Sequence, residues 1–388
     1  MLKELLSKKL SLIKNTANFR QLYPSSTPSG KTFQYNDKSY IQFSSNNYLG
    51  IANHPSLSEL SNEFTQKFGT GSGGSRLLGG AFDFQEELEN QISTFMESDD
   101  SLFFNNGYQA NLSFAHSISQ LNIPIYWDKL CHASIIDGLS LGKNKNNFRF
   151  AHNNTEHLLE LIEKNGPGVI ICEALYSMDG DIADLEALAW IAIQNNCTLY
   201  IDEAHSIGAT GPNGKGLCKY FSLPAQTQII RLGTFGKALG GHGAWISGSK
   251  ELISWLKNTG RAFIFSTATS PAVFGAAKAS LELLPQLDQE REHLQNLGIY
   301  LRQQLKINSW DTLNSEYYII PILIGCPKKA QEAAHFLQSQ GLWVQAIRTP
   351  TVPKGTDRLR INLCSHHSFN DLDLLISGLK KWSSTQND

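Results

Sequence analysis

The chain has 388 residues, of which 41% are hydrophobic and 18% charged, an ordinary balance for a globular protein with two or three lobes and a large core. A net charge of −2 supplies no basic footprint for nucleic acid or an anionic membrane, and no apolar run reaches the roughly 18 residues of a membrane span. The six cysteines form no C-x-x-C pair and suit neither a zinc site nor a disulfide framework, so free thiols in a reducing, cytoplasmic setting are expected.

In chain order, residues 1 to 20 carry leucines at 2, 5, 6, 10 and 12 among lysines. Without a continuous apolar stretch they do not read as a secretory signal, and an amphipathic helix packed on the protein is expected. A glycine-rich patch follows, Gly69 to Gly80. Asp83 to Met96 is predicted helical, with Leu88, Ile92, Phe95 and Met96 on one face. Short apolar runs then alternate with amphipathic segments: 101–104, 124–127, 169–172, 199–201, 229–232 and 244–247 read as strands. Between them, Thr155 is expected to cap a helix running to Lys164, and Asp184 the next, with Leu185, Leu188, Ala189 and Ile191 inward. Buried strands alternating with helices specify an α/β fold with a mainly parallel sheet flanked by helices.

Beyond Pro271 the pattern changes. A helical stretch runs to about Leu305, interrupted near Pro285. It is followed by a strand over 317–324, a helix over 328–340, a strand over 342–347, a strand over 358–363 and a helix over 370–381. These make a smaller α+β C-terminal domain. The expected division is an N-terminal arm over 1–44, a large α/β domain over 45–285 and a C-terminal domain over 286–388.

Two segments carry the chemistry. Thr234-Phe235-Gly236-Lys237-Ala238-Leu239-Gly240-Gly241 places a lysine among small residues just after one apolar run, and Asp202-Glu203-Ala204-His205 follows another. In open parallel sheets ligands sit beyond the carboxyl ends of strands. His132, Ser177, Asp202, His205, Thr234 and Lys237 all stand at such ends. A lysine that forms a Schiff base, and an aspartate that keeps a pyridine nitrogen protonated, are what pyridoxal phosphate requires of a protein. Taken singly, each has a plainer reading: a solvated lysine, a capping carboxylate, a core histidine, or, for His132, the cap of the helix it precedes. Gly236, Gly240 and Gly241 weigh against the plain reading of Lys237, because they suit a loop whose backbone approaches a ligand. Asn105-Asn106-Gly107-Tyr108 offers backbone N–H groups at a helix start for a phosphate, and Thr234 adds a hydroxyl. Gly71-Ser72-Gly73-Gly74-Ser75-Arg76 is neither a Walker loop nor a dinucleotide fingerprint.

With these residues assembled, the chain resembles the α-oxoamine synthases, a group of fold-type I pyridoxal phosphate enzymes, from about Arg20 to Leu379. The resemblance rests on Phe43-Ser44-Ser45-Asn46-Asn47-Tyr48-Leu49-Gly50, Gly69 to Gly80, His132-Ala133-Ser134, Ser177-Met178-Asp179-Gly180, Asp202-Glu203-Ala204-His205 and Thr234-Phe235-Gly236-Lys237. Residues 341–360, which include Thr349-Pro350-Thr351-Val352-Pro353 and Arg358-Leu359-Arg360, are most similar to the biotin-pathway branch.

The resemblance implies that Lys237 carries the cofactor and moves the substrate proton. It implies that Asp202, His205, Ser177, His132, Thr234, Gly107 and Tyr108 bind the cofactor, and that Ser266 and Thr267 reach the phosphate of the second subunit in a homodimer. Arg20, Asn46, His132, Thr351 and Arg360 are its substrate contacts, with Arg360 on the amino-acid carboxylate. The implied reaction is a decarboxylative condensation of L-alanine with pimeloyl-CoA or pimeloyl acyl carrier protein. Glycine-using and serine-using relatives share the lysine, aspartate and histidine motifs, so those motifs leave the amino acid open. A cofactor-binding protein without turnover would not need all three. Two departures stand out: Asn106-Gly107 replaces the usual Ser-Gly, and Ser206 to Gly211 lacks the common Gly-x-Gly form.

Overall fold

The computed structural model describes residues 1–15, 19–224 and 228–386. By density of internal contacts the chain falls into two units: Ile51–Ser177 with Ile182–Arg291, and Met1–Gly50 with Met178–Asp181 and Glu292–Asp388.

The larger unit is built on a seven-stranded sheet. Across it the strands run Asp100–Phe104, Ala244–Gly248, Ile229–Thr234, Thr198–Asp202, Val169–Glu173, Ile125–Asp128 and Asn147–Phe150. The five strands from Ile229–Thr234 to Asn147–Phe150 pair in parallel, and Ala244–Gly248 runs antiparallel to both of its neighbours. Every residue of Val169–Glu173 is buried. A strand covered on both faces needs a near-continuous apolar run rather than an alternating one, which is why these segments were conspicuous in sequence. The helix Gly107–Ser119 lays Ala110, Phe114 and Ile118 into the core with Leu102, Leu232 and Ile246, and the Phe114 ring stacks on Tyr200 at 3.8 Å. Asp184 caps Leu185–Gln194 by accepting the Ala187 N–H at 3.0 Å. The helix Thr155–Asn165 is capped by Asn154, not Thr155: the Asn154 side-chain Oδ1 accepts the His157 N–H at 2.8 Å, and Thr155 is already helical.

Register matters for function. Glu173 pairs with Asp202, so these two strands finish level, and Asp202 pairs with Leu232, two residues before the next strand ends at Thr234. Asp128, Glu173, Asp202 and Thr234 each end a strand of this sheet.

The smaller unit holds two three-stranded sheets. One orders Thr32–Tyr35, Lys38–Gln42 and Leu342–Trp343; the other orders Ile319–Leu323, Arg358–Asn362 and Gln345–Ile347. The segment 342–347, expected as one strand, is therefore two. Leu342 and Trp343 run parallel to Ile41 and Gln42, whereas Gln345 to Ile347 run antiparallel to Arg358–Arg360. Trp343 is the reason for the first half, since its ring packs 4.2 Å from Phe33 and 5.1 Å from Tyr40. The helix Phe369–Ser384 starts at a capping box in which the Ser368 hydroxyl accepts the Asp371 N–H at 3.3 Å while Asp371 accepts the Ser368 N–H at 2.7 Å.

The first helix, Leu2–Asn15, forms as expected, but its apolar face is not packed: Leu2, Leu5, Leu6, Leu10 and Leu12 are exposed. Helical periodicity specifies a stripe without saying what covers it. Among the described residues no helix is long and apolar enough to cross a membrane.

Candidate active site

Lys237 sits in the tight connection between Ile229–Thr234 and Ala244–Gly248. That connection is closed by bonds from Gly241 N–H to the Phe235 carbonyl at 2.8 Å and from Gly240 N–H to the Lys237 carbonyl at 3.0 Å. Gly240 adopts φ +67°, and a Cβ there would stand 2.7 Å from the Ala52 nitrogen, so glycine is required on both counts. The turn is anchored by Thr234, whose hydroxyl donates to the Gly243 carbonyl at 2.9 Å and accepts the Gly236 N–H at 3.1 Å. The Thr234 hydroxyl proton is thus engaged by the loop itself. Lys237 is half-buried, and its Nζ lies 2.8 Å from Nε2 of His205, which is buried.

Asp202 ends the adjacent strand and is buried, with both carboxylate oxygens held. Asn111 Nδ2 donates to Oδ2 at 2.7 Å, and the Ala204 N–H donates to Oδ1 at 2.9 Å. Asn111 is itself fixed, because the Tyr200 hydroxyl donates to its Oδ1 at 2.6 Å. Neither Asn111 nor Tyr200 was singled out in the sequence. The available signal was a lone amide among the alanines, serines, Phe114 and Ile118 that Gly107–Ser119 buries.

His132 precedes the helix Ala133–Gly142 and caps it. Its Nδ1 accepts the Ser134 N–H at 3.3 Å and lies 2.7 Å from the Ser134 hydroxyl. A ring nitrogen that accepts a backbone N–H carries no hydrogen, so a neutral His132 holds its proton on Nε2. Burial lowers the His132 pKa, opposed by the charge of Asp202 and reinforced by that of Lys237. The capping role and the expected role as a ring-stacking group are therefore compatible. Ser177 is also buried, and its N–H donates to Glu173 Oε2 at 3.2 Å.

At the proposed phosphate end, Asn106 caps Gly107–Ser119 by accepting the Gln109 N–H at 2.9 Å. The N–H groups of Gly107 and Tyr108 belong to the first helical turn and have no intrahelical acceptor. A Cβ built on Gly107 would meet nothing within 4 Å, which leaves open space for a ligand against the backbone. Tyr108 is largely exposed; its hydroxyl donates to Asp137, which raises the phenol pKa. Ser266 is half-buried and Thr267 exposed. The Thr267 carbonyl accepts from Asn105 Nδ2 at 3.1 Å, so this pair stands beside the strand end that leads into the same helix.

In the smaller unit, Arg360 is buried on Arg358–Asn362 and its guanidinium donates to Asn46 Oδ1 at 3.2 Å. The same oxygen accepts from Asn362 Nδ2 at 2.9 Å and from the Tyr48 hydroxyl at 3.1 Å. Three donors on one oxygen fix the amide orientation of Asn46. Asn362 had no assigned role in sequence. Arg20 and Thr351 line one cavity of about 570 Å³ together with Phe19, Tyr23, His335 and Arg348. Among the described residues no His/Cys/Asp/Glu cluster is suited to a metal, and all six cysteines are free.

A family model for class I and II aminotransferases matches residues 38–379. An 8-amino-7-oxononanoate synthase of Herminiimonas arsenicoxydans is 37% identical over 386 residues, covering 98% of this chain and 99% of the relative. A solved 8-amino-7-oxononanoate synthase from Francisella tularensis superposes with a TM-score of 0.80 at 26% identity, covering 90% of this chain and 99% of the other. A serine palmitoyltransferase variant from S. paucimobilis, solved with PLP and myriocin bound, gives a TM-score of 0.91 at 26% identity, covering 98% and 97%. The chain belongs to the class I and II aminotransferase family and, within it, to the α-oxoamine synthases, the fold-type I pyridoxal phosphate acyltransferases that include the 8-amino-7-oxononanoate synthases.

Proposed function

We propose that this chain condenses L-alanine with a pimeloyl thioester, releasing CO2 and the thiol and forming 8-amino-7-oxononanoate. The observation that carries the reading is Lys237 Nζ held 2.8 Å from His205 in the unit where Asp202 is locked by Asn111, in a chain whose curated relatives at 36–39% identity are named for this reaction.

The residues fit pyridoxal phosphate. Lys237 would hold its aldehyde carbon, Asp202 its ring nitrogen, His132 its ring face and His205 its phenolic oxygen. Ser177 would support the ring, and the Gly107 and Tyr108 N–H groups its phosphate, with Thr234 joining them once its hydroxyl turns from the Gly243 carbonyl. When bound, the group gives the substrate amine an aldehyde to condense with and a protonated ring that takes up the electron pair released at Cα.

Lys237, displaced by the substrate amine, is the base for the alanine Cα proton: it is half-buried, held in a glycine-rich turn and within reach of His205, which can accept or return its proton. Asp202, with a donor already on each oxygen, would be held in a fixed orientation to meet the ring nitrogen. Arg360 would take the alanine carboxylate as a bidentate donor, with Asn46, oriented by its three donors, adding its amide N–H. Arg20 and Thr351 would line the path of the acyl chain. His132, with its proton on Nε2, can donate to the thioester carbonyl or the substrate carboxylate. Ser266 and Thr267 would complete the phosphate site of a second copy in a homodimer.

The test is alanine-, glycine- and serine-dependent CO2 release, each with pimeloyl-CoA, pimeloyl acyl carrier protein and palmitoyl-CoA. Alanine with one of the pimeloyl thioesters should exceed every other pairing in kcat/KM by about tenfold or more. A preference for serine with palmitoyl-CoA would move the chain to the other branch.

A further inference from the structure

Glu173 is an acid without the means to be an anion. It is 2% exposed, ends its strand level with Asp202 on the neighbouring strand, and receives one hydrogen bond, the Ser177 N–H at 3.2 Å on Oε2. Its Oε1 is buried with no partner among the described residues. The same unit shows how it accommodates buried acids that do carry charge. Glu203 is paired with the Arg231 guanidinium and also accepts from the Ser206 hydroxyl at 3.0 Å and the Cys218 N–H at 3.1 Å. Glu89 holds Arg76 through both oxygens and accepts the Phe103 N–H at 2.8 Å. Asp202 has a donor on each oxygen. An ionised carboxylate out of water is costly unless paired and hydrogen-bonded, and of these four acids only Glu173 has an oxygen left without a donor.

We propose that Glu173 and Asp202 form a carboxyl–carboxylate pair in which Asp202 carries the charge and Glu173 keeps the proton, so that Lys237 is balanced by one anion rather than two. Two like acids side by side in a buried site share one proton, and it settles on the one with fewer donors. The charged groups that act on Glu173 are Asp202 on the strand to one side, Asp128 on the strand to the other and Lys237 from the turn beyond. Burial first, then the charge of Asp202, pushes the Glu173 carboxyl well above the usual range.

The consequence falls on the lysine. To condense with an aldehyde or take a Cα proton it must be a free amine, and each nearby anion favours the ammonium instead. A neutral Glu173 positions Ser177 through its backbone without adding that second charge. Glu173 is thus a positioning residue for the lysine–aspartate pair, and its role rests on the proposed reading of those two residues as the cofactor-binding pair.

The test uses the full chain, first without cofactor. Infrared spectra of the wild type at pH 7 should contain the carbonyl band of a neutral carboxylic acid; it should be missing in Glu173→Gln and should convert to carboxylate absorption as the wild type is taken to high pH. A folded-state value above the unfolded one means that stability is full at acid pH and declines as pH rises. Urea unfolding from pH 5 to 9 should therefore decline less steeply for Glu173→Gln than for the wild type. With pyridoxal phosphate added, wild-type affinity should weaken at alkaline pH more than that of Glu173→Gln. Carboxylate absorption alone at pH 7, or parallel stability curves, would overturn the pair. Neither result touches the cofactor assignment, which is tested separately by whether Lys237→Ala loses the cofactor's visible absorption.

Discussion

Asn111 donates to Asp202 across 2.7 Å, and the Tyr200 hydroxyl donates to Asn111 across 2.6 Å. A helix residue and two residues of the central strand thereby form one buried chain of hydrogen bonds ending on the acid proposed to meet the pyridine nitrogen. Replacing Asn111 by Leu would leave a buried hydroxyl and a carboxylate oxygen each short of a partner. Such groups cost about 1–3 kcal/mol. Urea unfolding of Asn111→Leu should show a loss of that size, with weaker binding of pyridoxal phosphate measured by titration of the cofactor-free protein.

Arg360 and Asn362 converge on one oxygen of Asn46 but are expected to fail differently. Arg360→Lys keeps the charge and loses the forked geometry, which should raise KM for alanine about ten- to a hundredfold, in line with about 1.5–3 kcal/mol for a charge-assisted hydrogen bond. Asn362→Ala removes one of three donors that orient the Asn46 amide and should raise KM by less than tenfold. Steady-state kinetics with saturating thioester separate the two.

His367 makes the fold acid-sensitive. Its ring stacks on Phe43 at 4.7 Å, Nδ1 accepts the Cys364 N–H at 3.0 Å and Nε2 donates to the Gln42 carbonyl at 2.9 Å. Burial drives its pKa from 6.5 to about 4. The folded value lies below the unfolded one, so the unfolded chain takes up the proton first. The stability from the neutral ring is complete above pH 6.5 and is lost as pH falls towards 4, on the order of 3 kcal/mol. Urea unfolding at pH 7 and pH 4.5 should show that drop in the wild type and a smaller one in His367→Gln.

Gly240 controls the turn that carries Lys237. With φ +67° and the Ala52 backbone against the hydrogen that a methyl would replace, Gly240→Ala should cost about 1–3 kcal/mol. It should also slow alanine turnover more than a stability loss alone would. The check is activity at a temperature well below the variant's own melting point.

The strands were legible because a parallel sheet covered on both faces demands runs such as Val169–Cys172, and Asp202 and Lys237 were legible because each follows such a run. Asn111 was not: an amide on a helix gains meaning only when the strand it faces is known. Glu173 stood in plain view at the end of an apolar run, but the missing donor on its Oε1 is a property of the folded neighbourhood. The 342–347 segment looked like one strand because its apolar content is continuous, whereas the break at Val344 is set by two different sheets on either side. The leucines of the first helix displayed their period without displaying a partner surface.

The role of Lys237 as cofactor anchor and base is read from a single variant. Purified wild type with pyridoxal phosphate should absorb near the visible edge and release CO2 from alanine and a pimeloyl thioester. Lys237→Ala should lose both that absorption and turnover, with urea stability little changed. A Lys237→Ala protein that kept the wild-type spectrum and rate would rule out Lys237 as both anchor and base.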